Sequence, residues 1–355
     1  MATISPRPEL TMQQFSSPPA IAAVESDSRP LWSVMIPTYN NIDYLAQTLE
    51  SVLAQDLGPE QMQIEVVDNA STQGDIAAFV QRVGKGRVSF YRHPQSVGGC
   101  MQNFNSCIQR SRGQLVHILH SDDYVLPGFY QAYSKAAAAH PEKALFVCRV
   151  FDVDAQGNLE DLSPRLTYLE HPQNDPSPQF YVNDIRFPGV VVRRSFYEAF
   201  GGFYEHIIHA HDWELWMRAL QLKGGLAINE ALACYRVFPQ SSTAKLFRTA
   251  ANLHDVLRVG QVFQQYANFD HRRFIADVRL RAYWRAGDFL KVQDIEAVLP
   301  NAQLWWSLAT PKQRIKLLLT MGLRSDKTAM QLVALLAKHR FSARKPQPSL
   351  SLSVS

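Results

Sequence analysis

The sequence predicts an α/β fold, a mostly parallel sheet flanked by helices and followed by a C-terminal α-helical region. Three observations carry this. Short apolar runs recur from Trp32 to Val150, each ended by polar residues, glycine or proline. Stretches with helical spacing of apolar residues separate most of them, and strand–helix alternation argues for right-handed βαβ units. From Ala244 onward the pattern is helical throughout.

Residues 1–30 carry five prolines and little apolar periodicity, and are expected to form a flexible leader. Trp32–Ile36 (WSVMI) is the first buried strand, broken by Pro37-Thr38-Tyr39-Asn40-Asn41. Leu45, Leu49, Val52 and Leu53 then share one face of a helix, with Asp43 placed to cap it and Gly58-Pro59 to end the segment. Further strands are expected at Gln63–Val67, Arg87–Tyr91, Gln114–Leu119 and Ala144–Val150. Helical candidates in the last third are Leu246–Tyr266, Arg272–Arg285, Phe289–Leu299, Trp305–Met321 and Lys327–Lys338, punctuated by Gly287 and Pro300. The Arg272–Leu299 pair resembles a helical hairpin. The expected organisation is a leader over 1–30, an α/β domain over 31–243, a basic helical region over 244–345 and a disordered tail over 346–355.

At about 100–200 residues per domain, 355 residues suggest two folded units. A composition 46% hydrophobic and 19% charged excludes collagen, a disulfide scaffold and a wholly disordered chain. The four cysteines form no CxxC pair, which argues against a zinc ribbon or a thioredoxin-type motif and fits a reducing compartment. No secretory signal is apparent, and no apolar run approaches the roughly 18 residues that span a bilayer. The expected location is cytoplasmic. The net charge of +4 divides unevenly, with +11 between Lys245 and Lys345 and −7 elsewhere. Such asymmetry points to an anionic partner, or to helices that simply solvate themselves with lysine and arginine. Leu304-Trp305-Trp306 and Lys312–Arg324, with Ile315, Leu318 and Leu319 on one face, suit peripheral membrane contact or self-association. Packing of such a stripe against the rest of the protein is the commoner fate. No nucleic-acid-reading motif accompanies the basic residues, and no P-loop is present.

In parallel sheets, ligands bind beyond the carboxyl ends of the strands. Three strand ends carry chemistry: Pro37-Thr38-Tyr39-Asn40, Asp68-Asn69-Ala70-Ser71-Thr72 and His120-Ser121-Asp122-Asp123. Asx-turns and helix caps account for the first two as well as a binding role does. The adjacent acids Asp122 and Asp123 repel, and such pairs are relieved by a cation or a shared proton. No glycine-rich fingerprint follows the first strand, which argues against a nucleotide-dependent oxidoreductase.

In order and spacing, PTYN, VVDNAST, Gly98-Gly99 with Asn103 and Asn105, and HSDD resemble the nucleotide-sugar half of the family 2 glycosyltransferases, which have the GT-A fold. The likeness continues through Phe187–Arg194, the Gly201-Gly202-Phe203 turn and His211-Asp212-Trp213-Glu214-Leu215, and covers about residues 31–240.

The resemblance implies a Rossmann-like mixed sheet and an inverting transfer of sugar from a nucleotide-diphosphate donor, of UDP, GDP or dTDP type, to a carbohydrate or lipid-linked acceptor. It implies Mn²⁺ or Mg²⁺ on the pyrophosphate, with Asp123 as direct ligand and Asp122 toward the donor ribose or the metal shell. Pro37, Thr38, Tyr39, Asn40, Asp68, Asn69, Gly98 and Asn103 would surround the donor. Tyr39 would pack on the base, and Asp68 or Asn69 would pair with its edge. Asp212 would be the general base, with Gly189 and Trp213 on the acceptor side and Trp216 in the core. Two positions depart from the family pattern: His120, where an acid is frequent, and Phe238, where some relatives carry a metal-binding histidine. Arg236 is left to meet a phosphate or to make a structural ion pair. The departures motivate an alternative, a catalytically degenerate GT-A-fold binding or scaffold protein.

Overall fold

The computed structural model describes residues 17–26, 28–170, 177–238 and 246–315. The chain forms two compact units. The larger takes the residues up to Ser241 together with Arg258–Asp270, and the smaller takes Ser242–Leu257 and the chain from His271.

All strands among the described residues join one sheet in the larger unit. They are β1 (Trp32–Thr38), β2 (Met62–Asp68), β3 (Ser89–Arg92), β4 (Leu115–Ile118), β5 (Tyr124–Val125), β6 (Leu145–Val153), β7 (Leu159–Leu162), β8 (Val190–Arg193) and β9 (Gly225–Arg236). Their order is β3-β2-β1-β4-β8-β6-β9-β5, with β7 paired to β6. The first four are parallel; β8 runs antiparallel to both β4 and β6, and β9 is parallel to β6. The five expected strands are therefore present, within a few residues of the expected ends. The sheet is mixed, mostly parallel and flanked by helices, as expected.

β1 and β2 are buried along their whole length, the mark of strands covered on both faces. Helix α1 (Leu45–Leu53) buries Leu45, Thr48, Leu49 and Val52 against them. It starts at Tyr44 without a side-chain cap, so Asp43 does not cap it. Helix α2 (Ile76–Gly84) is capped by Asp75, which accepts from the Ala78 N–H at 2.9 Å. Helices α3 (Cys100–Arg110), α4 (Phe129–Ala139), α5 (Arg194–Phe200) and α6 (His211–Lys223) complete the layers. Each fully buried large side chain, such as Trp32, Phe129 or Phe146, contributes about 1.5–3 kcal/mol. That burial holds the strand ends at fixed spacing.

The leader expectation fails for the segment around Ile21. Pro19 O accepts from the Gly202 N–H at 2.9 Å, Ala22 O accepts from Arg194 Nη1 at 3.1 Å, and Ile21 is buried. A Cβ on Gly201 would lie 2.9 Å from Pro19 O, so the glycine pair lets this segment dock. Proline content signals a lack of helix, not a lack of a docking place. Residues 1–16, the helix expected at Lys327–Lys338, the end of that expected at Trp305–Met321 and the tail over 346–355 lie outside the described residues.

The described part of the last third is helical as expected, in α7 (Ala251–Phe263), α8 (His271–Lys291) and α9 (Ile295–Leu308). Gly287 does not interrupt α8, and Pro300 sits inside α9, so the helix expected at Phe289–Leu299 is divided between them. In the larger unit, Phe263 and Phe269 pack on Phe180 with ring centroids 5.1 and 5.3 Å apart. In the smaller unit, α8 and α9 pack together, α8 burying Phe274, Val278 and Ala282 and α9 burying Ala297, Val298 and Leu304. There the Arg285 guanidinium lies 3.9 Å over the Phe247 ring and donates to Asn252. Among the described residues, no helix is long and apolar enough to cross a membrane.

Candidate active site

β2, β1 and β4 are adjacent and parallel, so all three strand-end motifs emerge on one edge; Thr38 stands in register with Asp68. The strand order reverses between β1 and β4, which places the switch point of the sheet at this edge.

The first two loops are tied together. Asp68 is fully buried and accepts from the Ser71 N–H at 3.2 Å, from the Ser71 hydroxyl and from Arg92 at 3.1 Å. The Asn40 carboxamide oxygen accepts from the N–H groups of Thr72 and Gln73, and the Asn40 N–H donates to Ser71 Oγ. The positive φ of Asn40, 50°, suits an asparagine that bonds locally. Asn69 Oδ1 accepts from the Val97 N–H at 2.8 Å, just before Gly98, whose φ of 105° favours glycine. Asp68 therefore offers no open oxygen to a base in this arrangement; it fixes the loop. Pro37 and Thr38 are buried, whereas Tyr39 is 51% exposed and presents its ring. Asn103 donates to Val67 O at 3.1 Å, and its own carboxamide oxygen is buried without a hydrogen-bond partner.

The third loop is a tight turn closed by the Asp123 N–H on His120 O at 3.1 Å. Thr48 of α1 donates to Asp123 O at 2.7 Å, and Asn41 donates to Ser121 Oγ at 3.1 Å. The end of β9 braces the turn from the other side. The Arg236 N–H donates to Asp123 Oδ1 at 2.9 Å, and its Nε donates to Asp122 O at 3.0 Å. The remaining donors of this buried guanidinium go to Asp154 O, Ala155 O and Gln47, so Arg236 is a brace for the turn and not a free cation for phosphate.

Asp123 is buried, yet its Oδ2 has no hydrogen-bond partner. Burial and the neighbouring Asp122 carboxylate push its carboxyl well above the ordinary value, against the lowering pull of the Arg236 N–H. His120 Nδ1 stands 3.6 Å from this orphaned oxygen, too far for a hydrogen bond. One ligand atom each from His120, Asp122 and Asp123 lie within 4.8 Å of one another. A buried acceptor without a donor, beside a second acid and an imidazole, fits a divalent cation of the Mg²⁺ or Mn²⁺ kind.

On the acceptor side, Asp212 lies in the first turn of α6, after Ala210 as cap. It is partly buried, receives the Trp213 N–H at 2.6 Å and is within 3.3 Å of Asn183 Nδ2. The adjacent His211 shares a cluster of rings with the metal turn. His120 stacks on Phe187 at 4.2 Å and Phe104 at 5.2 Å, and His211 lies 5.6 Å from Phe104 and 6.3 Å from Phe187. Burial, then His120 and His209, push His211 down to about 3, so its imidazole is neutral. Glu214 and Arg218 of α6 form a buried pair at 3.0 Å, and Arg218 also donates to the carbonyls of Phe200, Gly201 and Gly202. That fixes the glycine turn to the helix bearing Asp212.

Two acceptor-side expectations need correction. Trp213 is buried, with its indole N–H on Gln179 O and its ring edge on Phe263, so it packs α6 and is not an open wall. Gly189 is buried because there is no room for a side chain: a Cβ would meet Val150 at 2.6 Å. Trp216 is in the core, as expected. Phe238 packs near Tyr44, with ring centroids 6.1 Å apart. The sequence reading missed His120 as a member of the cluster and the Phe104–Phe187 pair it packs against. The available signal was its place two residues before the acids.

The family profile described as glycosyl transferase family 2 matches residues 33–201. An uncharacterized protein of Mycobacterium tuberculosis is 27% identical over 243 residues, which cover 65% of this chain and 75% of that protein. The crystal structure of Staphylococcus aureus TarS 1–349 in complex with UDP-GlcNAc superposes with a TM-score of 0.58 at 18% identity, covering 88% of this chain and 92% of that one. The mannosyltransferase PcManGT from Pyrobaculum calidifontis, in complex with GDP-Man and Mn²⁺, gives 0.51 at 15% identity, covering 91% and 90%. At these identities the structural likeness speaks for the fold, the GT-A-type sheet. Residues 33–201 of this chain are a glycosyl transferase family 2 domain.

Proposed function

We propose that this protein is an inverting glycosyltransferase that moves a sugar from a nucleotide-diphosphate sugar to a hydroxyl acceptor in polysaccharide, glycolipid or glycoconjugate assembly. The observation that carries the reading is the buried, unpartnered oxygen of Asp123, beside Asp122 and His120, at the carboxyl end of β4 in a family 2 domain. A divalent cation held by Asp123 and Asp122, Mn²⁺ or Mg²⁺, would supply the Lewis acidity that neutralises the leaving diphosphate. Relatives of the same fold hold UDP-GlcNAc and GDP-Man, so donors of UDP, GDP or dTDP type are the ones to test.

The exposed ring of Tyr39 offers a face on which a base stacks. Pro37, Thr38, Asn40, Asp68 and Asn69 set the shape of that pocket, and Gly98 and Asn103 border it from the third side. Asp212 takes the proton of the acceptor hydroxyl. It lies in the first turn of α6, where the helix N-terminus carries partial positive charge. The Trp213 N–H holds its Oδ1, and Asn183 lies beside its Oδ2. In-line attack by the deprotonated hydroxyl on the face opposite the leaving group inverts the anomeric centre.

The division expected at 243 puts transfer in the α/β domain. The basic excess beyond it, with Leu280, Tyr283 and Trp284 exposed on α8, supports peripheral membrane contact or self-association of a cytoplasmic enzyme and not nucleic-acid binding. Absence of liposome binding would remove the membrane option.

Calorimetric titration with UDP, GDP and dTDP, each with and without Mn²⁺, tests the donor side. One metal-dependent binder is expected. Asp212→Asn is then expected to keep that binding and to lose about 10²–10⁴ in turnover. Phe238, a ring where some relatives carry a ligand, favours the degenerate-scaffold alternative. Binding of none of the nucleotides would favour it too.

A further inference from the structure

We infer that His120 is itself a ligand of the divalent cation, and that its imidazole makes this site prefer Mn²⁺ to Mg²⁺. The inference rests on the metal-assisted reading above and adds a residue and a selectivity to it.

The geometry is that of ligands awaiting a shared ion. His120 Nδ1 and Asp123 Oδ2 are 3.6 Å apart, beyond hydrogen-bond range, and Asp123 Oδ2 has no other partner. The two residues are the ends of one turn, closed by the Asp123 N–H on His120 O, so they approach the same point from one rigid piece of chain.

The imidazole packs against two rings that also touch each other, Phe104 and Phe187, with centroids 5.4 Å apart. Phe187 stacks on it at 4.2 Å with planes 30° apart, and Phe104 lies at 5.2 Å with planes 20° apart. Both rings are anchored. Phe187 opens the turn whose next two carbonyls are engaged, Pro188 O by His117 Nε2 at 3.0 Å and Gly189 O by the Tyr133 hydroxyl. Phe104 stands between Asn103, which donates to Val67 O, and Asn105, which bonds both backbone groups of Phe203. A ring packed on such supports costs little further entropy when it ligates. At the end of β9, Phe238 packs near Tyr44 and brings no donor. Among the described residues, the nitrogen grouped with the ligand oxygens of Asp122 and Asp123 is that of His120.

Nitrogen changes the choice of ion. Mg²⁺ takes hard oxygen donors and gives up water reluctantly, whereas Mn²⁺, which shares its preference for carboxylate and water, is a first-row transition ion and accepts an imidazole nitrogen more readily.

The test uses the full chain, free of any histidine tag, loaded with Mn²⁺ alone and with Mn²⁺ plus UDP, GDP or dTDP. Pulsed electron paramagnetic resonance is expected to show ¹⁴N modulation from bound Mn²⁺, and ¹⁵N-histidine labelling of the unaltered chain is expected to replace it. His120→Asp is expected to abolish the modulation, and His209→Asn to keep it. In competition titrations followed by the free Mn²⁺ signal, His120→Asp is expected to lower the Mn²⁺-over-Mg²⁺ preference about tenfold or more. Bound Mn²⁺ without ¹⁴N modulation in the unaltered chain, or an unchanged preference in His120→Asp, would overturn this inference and leave metal-assisted transfer standing. Failure to bind Mn²⁺ under every condition would overturn both.

Discussion

Replacing Asp123 by asparagine should stabilise the metal-free protein while destroying its site. The carboxylate has one oxygen on the Arg236 N–H at 2.9 Å and the other buried with no donor. A buried acceptor left unsatisfied costs about 1–3 kcal/mol, and more when it is charged. Asparagine keeps the bond to Arg236 and puts a neutral amide where the charged oxygen stood. Asp123→Asn is therefore expected to raise the unfolding free energy by about 1–3 kcal/mol at pH 7 in EDTA. The pH dependence has a definite sign. Burial and Asp122 raise the folded-state pKa of Asp123 above the unfolded value of about 3.9, so the folded chain holds the extra proton. The Asp123 contribution to wild-type stability is then lost as pH rises from about 4 through the folded-state value, and the variant has no such contribution. At pH 4 the difference should shrink toward zero. Saturating Mn²⁺ should reverse the order, because an ion at 100 times its dissociation constant adds about 2.7 kcal/mol to the wild type alone. Urea unfolding followed by tryptophan fluorescence at pH 4, 5.5 and 7, in EDTA and in Mn²⁺, measures all of this. A variant less stable than the wild type in EDTA at pH 7 would refute the reasoning, as would an advantage undiminished at pH 4.

Arg218→Ala should cost about 3–5 kcal/mol in the same assay, because it leaves the buried Glu214 charge unpaired and three carbonyls of the glycine turn unmet. Arg218→Ala combined with Glu214→Ala should cost less than Arg218→Ala alone. His117 and His211 are both pushed down to about 3 by burial, so each is neutral when folded and charges when unfolded. The contribution of each histidine is full above about 6.5 and should fall as pH drops from there toward 3, by up to about 1.4 kcal/mol per pH unit. Urea midpoints of Asp123→Asn at pH 6.5, 5.5 and 4.5, free of the opposing Asp123 contribution, give that slope, and a flat profile would contradict it.

The parallel half of the sheet was legible because its strands are buried on both faces and end abruptly: Trp32–Ile36 and Gln63–Val67 have no other use for so many apolar residues. The acids were legible because Asp122 and Asp123 repel unless something relieves them. Other features depend on partners far away in sequence and left no local mark. Arg236 was open between a phosphate contact and a structural ion pair, because nothing nearby in sequence shows that Asp122, Asp154, Ala155 and Gln47 converge on it. His120 looked like a lost acid because Phe187, which supports it, lies 67 positions on. Asp68 and Asn40 read as ligand contacts, whereas much of their capacity is used on Ser71, Thr72 and Gln73 of the neighbouring loop. Trp213 read as a pocket wall because an aromatic beside a catalytic acid suggests one, but α6 uses it as core.

The bond from Arg236 to Asp123 joins residues 113 positions apart, and it has a consequence for the order of assembly. Synthesis delivers β1 to β4 and both acids long before β9 leaves the ribosome. Closing so long a loop is slow relative to local pairing. The turn that carries the acids is thus the last part of the sheet to be locked, and a cation cannot template the early nucleotide-binding half. It meets a finished cup or none. Added metal should accordingly leave the early folding phases untouched and act on unfolding instead, slowing the step in which β9 parts from β5 and β6.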